Sequence, residues 1–270
     1  MAKTFVIAEM GSCHDGDLQK AIRLVHAAAD CGANAVKAQW VSSPERLAEH
    51  RNAGEYVKHY RLISFPRGWF DVLRAEADKC GIEFMCTAFL PQDIQVIAQY
   101  AKRAKVSSFE SPDLAFVREH DAWFGEVIVS YSGGMKPHDL SDKYKSLLCV
   151  SAYPCPIDQL GLRRLHSQED TIMGLYTPFD GLSDHTANVL TGALAVAAGA
   201  IIVEAHIRLE ETDPKNADWA HSLIADQKHR RDESFYEYVS NIHLAEQALG
   251  DGRTGPMPCE EPMMRFKVKA

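Results

Sequence analysis

Short apolar runs alternate with amphipathic stretches along the whole chain of 270 residues. Several of the runs are almost continuously apolar, which is typical of parallel strands that are buried on both faces. The pattern predicts eight strands, at residues 4–10, 35–40, 83–88, 104–108, 126–131, 147–152, 179–184 and 201–207.

The stretches between these runs have helical periodicity. Asp17 stands where an N-cap is expected, immediately before the first of them. The last helix ends at Gly250, which is a common helix stop. The periodicity predicts further helices at 69–80, 91–100, 112–123 and 188–198. Apolar stripes are formed by Leu18, Ile22, Val25 and Ala29 in the first helix, and by Phe235, Val239, Ile242 and Leu249 in the last.

Eight strands with interleaved helices in about 250 residues predict a (β/α)8 TIM barrel, an α/β fold. The alternative is an open doubly wound sheet, but no glycine-rich phosphate loop follows the first strand. The seventh strand has a competitor, because residues 171–176 are also apolar. We expect a single barrel domain over residues 1–250 and a C-terminal tail over 251–270.

Composition excludes several classes of protein. The chain is 46% apolar and 24% charged with a net charge of −8, which is unlike a disordered chain, a coiled coil or a basic nucleic-acid-binding face. We expect no membrane partner, since no apolar run has the 18 or so residues that a membrane helix needs. The N-terminus lacks the features of a signal peptide, and the seven cysteines form no CxxC motif. A cytoplasmic protein with reduced thiols is therefore expected.

Polar side chains occur at the C-terminal end of every predicted strand. In a TIM barrel these ends meet at one face, which holds the active site. Residues two apart on a strand share a face, so pairs such as Glu204 and His206 can point into the barrel together. The strand ends carry Glu9; Lys37 and Gln39; Thr87; Lys105, Ser108 and Glu110; Ser130; Ser151 and Tyr153; Ser183 and His185; and Glu204 and His206.

Two lysines inside a barrel need anionic partners, because an unpaired buried charge is costly. Lys37 and Lys105, surrounded by hydroxyl groups, therefore suggest a phosphate or carboxylate ligand. The alternative is that each lysine is held in a buried ion pair with Glu9, Glu110 or Glu204.

Histidines end the seventh and eighth strands. His185 and His206, with a carboxylate nearby, are a reasonable site for a divalent metal, although a lone buried histidine is more often structural. His14 in the first loop either contacts the substrate or stabilises a turn. The long loop 210–226, with Trp219 and His221, forms either a wall of the site or a surface excursion.

The chain resembles a known family through a series of motifs in order. They are IAEMGSCHDGD, GANAVKAQW, CTAF, AKVSSFES, SGGM, SAYPCP, GLSDHT and VEAHI. Together they are similar to the catalytic barrel of the N-acetylneuraminate (sialic acid) synthase family, from about residue 5 to about residue 250.

The resemblance implies an enzyme that condenses phosphoenolpyruvate with the open-chain aldehyde of an amino sugar such as N-acetylmannosamine. The products would be a nonulosonic 2-keto acid and phosphate. A divalent cation, Mn²⁺ or Mg²⁺, held by His185 and His206 would act as a Lewis acid. Either Glu9 or Glu204 would be the general base. Phosphoenolpyruvate would be held by Lys37, Lys105, Ser108, Ser130 and Ser183 with support from Thr87, and the sugar by Gln39, Glu110, Tyr153 and Asp218.

The chain departs from the family pattern at several positions. Cys13 replaces an asparagine in the first loop, Ser107 and Phe109 replace glycines after the fourth strand, and Ser151 replaces an asparagine that anchors substrate. Phe109 and Trp219 would add apolar bulk near the sugar. Family members usually continue into a small antifreeze-like domain, which supplies an arginine to the N-acyl group of the sugar.

The chain ends at Ala270, so we expect its site to work without that arm and to select less sharply for an N-acetylated sugar. Two alternatives remain open. One is the same chemistry with a different aldehyde, and the other is a non-catalytic barrel subunit. A homo-oligomer is the usual state of such enzymes.

Overall fold

Eight parallel strands close into a barrel in the computed structural model, which describes residues 3–132, 143–165, 179–228, 232–252 and 257–266. Each strand pairs with the next, and the eighth also pairs with the first. This closure confirms the predicted TIM barrel and excludes the open sheet. The strands are β1 (Phe5–Gly11), β2 (Ala35–Trp40), β3 (Glu83–Ala88), β4 (Arg103–Val106), β5 (Glu126–Tyr131), β6 (Tyr144–Cys149), β7 (Gly181–Asp184) and β8 (Ile202–Arg208).

Helices surround the barrel on the outside. The Asp17 carboxylate accepts a hydrogen bond from the Gln19 N–H at 2.7 Å, which confirms the expected N-cap of the first helix. A two-residue strand, β9 (Leu223–Ile224), pairs with the end of β8. The helices are α1 (Leu18–Asp30), α2 (Pro44–His50), α3 (Val57–Ile63), α4 (Gly68–Cys80), α5 (Pro91–Ile97), α6 (Leu114–Glu119), α7 (Thr191–Ala197), α8 (Phe235–Leu249) and α9 (Glu261–Met264).

The barrel interior has an apolar layer with a polar layer above it. Strand alternation produces this division, because a residue two positions further along faces the same side. On β1, for example, Ile7 belongs to the apolar layer and Glu9 to the polar layer. The apolar layer consists of Ile7, Ala35, Met85, Ile128, Leu147 and Ile202.

Gly181 begins β7 at a point where the barrel has no room for a side chain. A Cβ there would overlap the carbonyl oxygen of Ile202 on β8. The close approach of the two strands brings Ser183 beside Glu204, with which it pairs in register.

The structure changes some predicted boundaries. The sixth strand begins at Tyr144 and ends at Cys149, so Ser151 lies in the following loop rather than on the strand, and Tyr153 follows it in that loop. The seventh strand falls within the predicted range 179–184, while its competitor at 171–176 lies outside the described residues. Among the described helices, none has the length and apolarity needed to cross a membrane.

Candidate active site

A cavity of about 690 Å³ opens at the C-terminal ends of the barrel strands. Of the residues predicted for the site, all except Ser151 line this cavity. We use "floor" for the polar residues on the barrel strands and "mouth" for the residues from helices and loops around the opening. The floor consists of Glu9, Lys37, Gln39, Thr87, Lys105, Ser130, Ser183 and Glu204, and the mouth of His50, Arg51, Tyr56, His59, Tyr60, Phe109 and Glu110.

Lys37 lies at the centre of the floor between two carboxylates. Its Nζ donates to Glu9 Oε2 and, at 2.9 Å, to Thr87 Oγ1, and it lies 3.7 Å from Glu204 Oε2. Lys37 is therefore held in a buried ion pair with Glu9, as the alternative interpretation expected. Burial lowers the pKa of Lys37 to about 8, because loss of hydration outweighs the attraction of Glu204.

Lys105 is held less tightly by carboxylates. Its Nζ donates to Ser130 Oγ at 2.9 Å and to the Val106 carbonyl at 3.1 Å. Its carboxylate partner, Glu204 Oε1, lies 3.7 Å away, which is beyond hydrogen-bonding distance. Lys105 therefore has the greater capacity to bind an incoming anion.

The two floor glutamates differ in how their oxygens are used. Both oxygens of Glu9 are occupied, since Oε1 accepts from the Gly11 N–H at 2.6 Å and Oε2 accepts from Lys37. Glu204 Oε1 accepts from Ser183 Oγ at 3.2 Å, but Oε2 accepts no hydrogen bond from any described residue. Glu204 thus has a free oxygen that faces the polar layer.

Burial alone would raise the pKa of Glu204. The positive charges of Lys105 and Lys37 outweigh this effect, so the pKa lies below its usual value. Glu204 is therefore ionised and can accept a proton at neutral pH.

Hydroxyl groups extend from the floor toward the loops. Ser151 does not line the cavity, but its Oγ lies 2.7 Å from the Oγ of Ser108, which does. Ser151 therefore reaches the site through Ser108. On the loop after β4, which also carries Ser108, Ser107 Oγ donates to Glu110 Oε2.

Three buried histidines and an aspartate lie at one side of the cavity. The ring centres of His185 and His206 are 5.3 Å apart, those of His206 and His221 are 4.5 Å apart, and those of His185 and His221 are 5.9 Å apart. Potential ligand atoms of His206, Asp218 and His221 all lie within 4.8 Å of one another. His206 of the predicted pair thus clusters with Asp218 and His221 of the following loop, and the ring of His185 lies beside this cluster.

The imidazoles are in the form that binds metals. Burial lowers the pKa of His185 to about 4 and that of His206 well below its usual range, so both are neutral at pH 7. His185 Nδ1 lies 3.1 Å from the Val150 carbonyl, to which only an N–H can donate, so its Nε2 carries the lone pair. His206 Nδ1 is buried without a hydrogen bond to the described residues. Unpartnered imidazole nitrogens beside a carboxylate fit a divalent cation.

The mouth contains cavity-lining residues that the sequence pattern did not predict, Arg51 among them. Arg51, at the C-cap of α2, donates to Glu110 Oε1 through Nε at 2.8 Å. Its guanidinium carbon lies 5.0 Å from the ring centres of Phe109 and Phe89. The sequence carried one signal for such residues. The segment between the second predicted strand and the next predicted helix is longer than most loops that have no secondary structure of their own.

Two sequence expectations about the surroundings of the site are resolved by the structure. His14 does not line the cavity. Its Nδ1 accepts from the Gly16 N–H at 3.0 Å, so it stabilises a turn. The expectation that Trp219 lies against the sugar is wrong, because Trp219 is also absent from the cavity lining and Arg208 lies over its ring at 4.4 Å. Phe109 does line the cavity.

Comparison with known proteins adds independent information. The NeuB family model matches residues 24–254. An N,N'-diacetyllegionaminic acid synthase of Legionella pneumophila is 30% identical over 96% of this chain and 77% of its own length. The human N-acetylneuraminate-9-phosphate synthase is 27% identical over 95% of this chain and 74% of its own.

A solved structure is similar over nearly the whole chain. It is the N-acetylneuraminic acid (sialic acid) synthetase of Leptospira borgpetersenii in complex with citrate. The two chains superpose with a TM-score of 0.79 at 26% identity, covering 98% of this chain and 91% of the other.

Proposed function

Because this chain belongs to the NeuB family, we propose that it condenses phosphoenolpyruvate with the open-chain aldehyde of an acetylated amino sugar. The matched relatives are named as synthases of nonulosonic acids, and this chain is, like them, a phosphoenolpyruvate-condensing synthase. The observation that carries the proposal is the placement of two buried lysines and several hydroxyl groups beside a histidine cluster within one cavity.

The floor is suited to phosphoenolpyruvate, which carries a phosphate and a carboxylate. Lys105 would take one anionic group directly, since no carboxylate of the described residues lies within hydrogen-bonding distance of it. Lys37 would exchange a contact with Glu9 or Thr87 for a contact with the second group. The hydroxyls of Ser108, Ser130 and Ser183 would donate further hydrogen bonds, with Thr87 in support.

The bond changes balance with water as the third reactant. Carbon 3 of phosphoenolpyruvate forms a bond to the aldehyde carbon, and the aldehyde oxygen takes up a proton. A water oxygen adds to carbon 2 and gives its proton to a carboxylate base. The bond between carbon 2 and the bridging oxygen then breaks, phosphate leaves with that oxygen, and the new hydroxyl at carbon 2 gives its proton to the phosphate as it becomes the keto oxygen. The product is a 2-keto acid extended by three carbons.

Glu204 is the better of the two carboxylates for the role of base. Its Oε2 has no hydrogen-bond donor among the described residues, whereas both oxygens of Glu9 are occupied. Glu9 instead holds Lys37 in place and ends the first strand through the Gly11 N–H. We therefore assign proton acceptance to Glu204 and the positioning of Lys37 to Glu9.

A divalent cation, Mn²⁺ or Mg²⁺, would be held by His185 and His206 and would supply Lewis-acid stabilisation of negative charge on an oxygen. Both rings are neutral and buried, as this role requires.

The acceptor would lie between the floor and the mouth. Gln39, Tyr153 and Asp218 line the cavity with groups that can bind sugar hydroxyls. Glu110 already accepts from Arg51 and Ser107, so it would have to give up a partner to bind a hydroxyl. Because the Glu110 carboxylate already has these two partners, an aldehyde other than an N-acetylated hexosamine is a second candidate for the acceptor. The chain would act on small molecules alone, as a cytoplasmic homo-oligomer.

The decisive experiment measures phosphate release from phosphoenolpyruvate with Mn²⁺ and a panel of aldehydes, with product masses determined. The panel contains N-acetylmannosamine, a diacetamido sugar, mannose and a short aldose. We expect phosphate release with an acetylated amino sugar, and a product equal in mass to both substrates plus water minus phosphoric acid. Release with only another aldehyde would establish the second candidate. Binding of phosphoenolpyruvate without release for any aldehyde would refute the synthase proposal.

A further inference from the structure

We propose that His221 is a third imidazole ligand of the metal and that Asp218 adds a carboxylate oxygen to the same centre. The inference rests on the proposed metal site at His185 and His206. It extends that site to a segment outside the barrel strands, because His221 lies in a one-turn 3-10 helix, Trp219–His221, in the loop after β8.

The ring distances agree with a shared ion. Two imidazoles on one cation at metal–nitrogen distances of about 2.1 Å have ring centres about 5 Å apart. The distance between His206 and His221 is 4.5 Å, shorter than the 5.3 Å between His206 and His185. His221 is therefore at least as well placed toward His206 as the histidine at the end of β7.

The ring nitrogens of His221 lack hydrogen-bond partners in the part of the chain that the structure describes. The residue is 2% exposed, so these nitrogens are buried. The nearest carboxylate oxygen, Asp218 Oδ1, is 3.5 Å from Nε2, which is too long for a good hydrogen bond. A buried imidazole left in this state is costly, and a cation between the two groups would satisfy both.

Asp218 is held with one oxygen available. Its Oδ2 accepts from the backbone N–H and from the hydroxyl of Ser12, each at 2.7 Å. The loop comes so close that a Cβ at Gly11 would overlap this carboxylate. Oδ1 is thereby oriented toward the histidines, so the carboxylate belongs to the metal cluster as much as to the sugar-binding side.

A centre with three imidazoles would prefer different metals from a centre with two. Nitrogen ligands favour Mn²⁺, Co²⁺ or Zn²⁺ over Mg²⁺, and each added imidazole strengthens that preference. We therefore expect Mn²⁺ to bind far more tightly than Mg²⁺.

The test is direct metal binding to the full chain, measured by loss of the electron paramagnetic resonance signal of free Mn²⁺. We expect His221→Gln to weaken Mn²⁺ binding by at least about tenfold, since even outer partners of metal ligands have effects of about 10- to 100-fold. The matched control is His50→Gln, which removes an exposed histidine of the same cavity and should leave the Mn²⁺ affinity unchanged. Phosphoenolpyruvate binding without metal shows that each variant is folded.

A second measurement needs no variant. Pulsed paramagnetic resonance of the Mn²⁺-loaded wild-type protein counts the nitrogens bound to the ion, and we expect three. Two nitrogens, or unchanged affinity in His221→Gln while His206→Gln loses binding, would overturn the inference and leave the proposed function intact. If the wild-type protein binds no divalent metal and condenses its substrates at full rate with chelator, the proposed metal site fails together with the inference.

Discussion

The floor and the mouth of the cavity are built by different means. Floor residues such as Lys37 and Glu204 lie on strands of the closed barrel, where register with both neighbours determines their positions. Mouth residues such as Arg51 and Tyr60 come from the excursion after β2, which contains α2 and α3. The floor is therefore rigid and common to any acceptor, whereas the mouth can vary without disturbing the barrel.

The floor and the mouth also differ in the kind of interaction that they offer a substrate. The floor places fully buried charges where phosphoenolpyruvate would react, and such groups affect the chemical step. The mouth offers a partly exposed arginine and aromatic rings, whose contacts are individually weak. Changes in the floor should therefore affect turnover, and changes in the mouth should affect acceptor binding.

The largest effect is expected from Glu204→Gln. Loss of a general base lowers kcat by about 10²- to 10⁴-fold. Glu9→Gln should lower kcat less, because the proposed role of Glu9 is to position Lys37 and not to accept the proton. Steady-state kinetics of the two variants make the comparison, and an equal loss of kcat in both would contradict the assignment of the base.

Lys105→Met should lower kcat/KM for phosphoenolpyruvate by about 100-fold, because a charge-assisted hydrogen bond contributes about 1.5–3 kcal/mol. The fold should survive, since methionine fills a similar volume. Lys102→Met, which removes an exposed lysine one position before β4, is the matched control. Unchanged phosphoenolpyruvate kinetics in Lys105→Met would place the anion elsewhere in the cavity.

The pH dependence of kcat/KM tests whether the charge of Lys37 binds phosphoenolpyruvate. Its pKa of about 8 means that the side chain is charged below that pH and neutral above it. We expect kcat/KM for phosphoenolpyruvate to fall by about tenfold between pH 7 and pH 9 as the free enzyme loses this charge.

The stability of the fold should change in the opposite direction. The pKa of Lys37 is lowered from 10.5 to about 8, so the unfolded chain binds this proton more tightly than the native protein does. The contribution of this group to the free energy of unfolding therefore rises with pH between those values. Thermal unfolding at pH 7 and pH 9 separates lost activity from lost structure, and a flat kcat/KM profile over that range would contradict a binding role for the charge.

The smallest effect is expected in the mouth. Phe109→Ala removes a ring under the Arg51 guanidinium and should change the KM of the aldose by two- to fivefold, about 0.5–1 kcal/mol. The KM of phosphoenolpyruvate should stay the same, because Phe109 does not touch the floor lysines. Phe266→Ala, at an exposed aromatic residue outside the cavity lining, serves as the control. A larger change in the KM of phosphoenolpyruvate than in the KM of the aldose would contradict the division of roles between floor and mouth.

Prediction from the sequence succeeded where the local hydrophobic pattern agrees with the strand or helix that the barrel contains at that point. The ranges of β2, β3 and β5 agree with the predicted strands, and the amphipathic stripes correctly indicated α1 and α8. Prediction failed for α2 and α3, because two short helices that pack over a loop leave no long periodic stripe. It also missed the position of Trp219, whose ring lies under Arg208 rather than toward the cavity.

The sequence by itself determined the barrel and its polar floor, because strand alternation and parallel order bring one end of every strand to the same face. Only the tertiary structure distinguishes the two glutamates, since the difference lies in which of their oxygens already accept a hydrogen bond. The same holds for the approach of His221 to His206. That approach depends on hydrogen bonds between Ser12 and Asp218, which are 206 positions apart, and no local pattern encodes a contact at that distance.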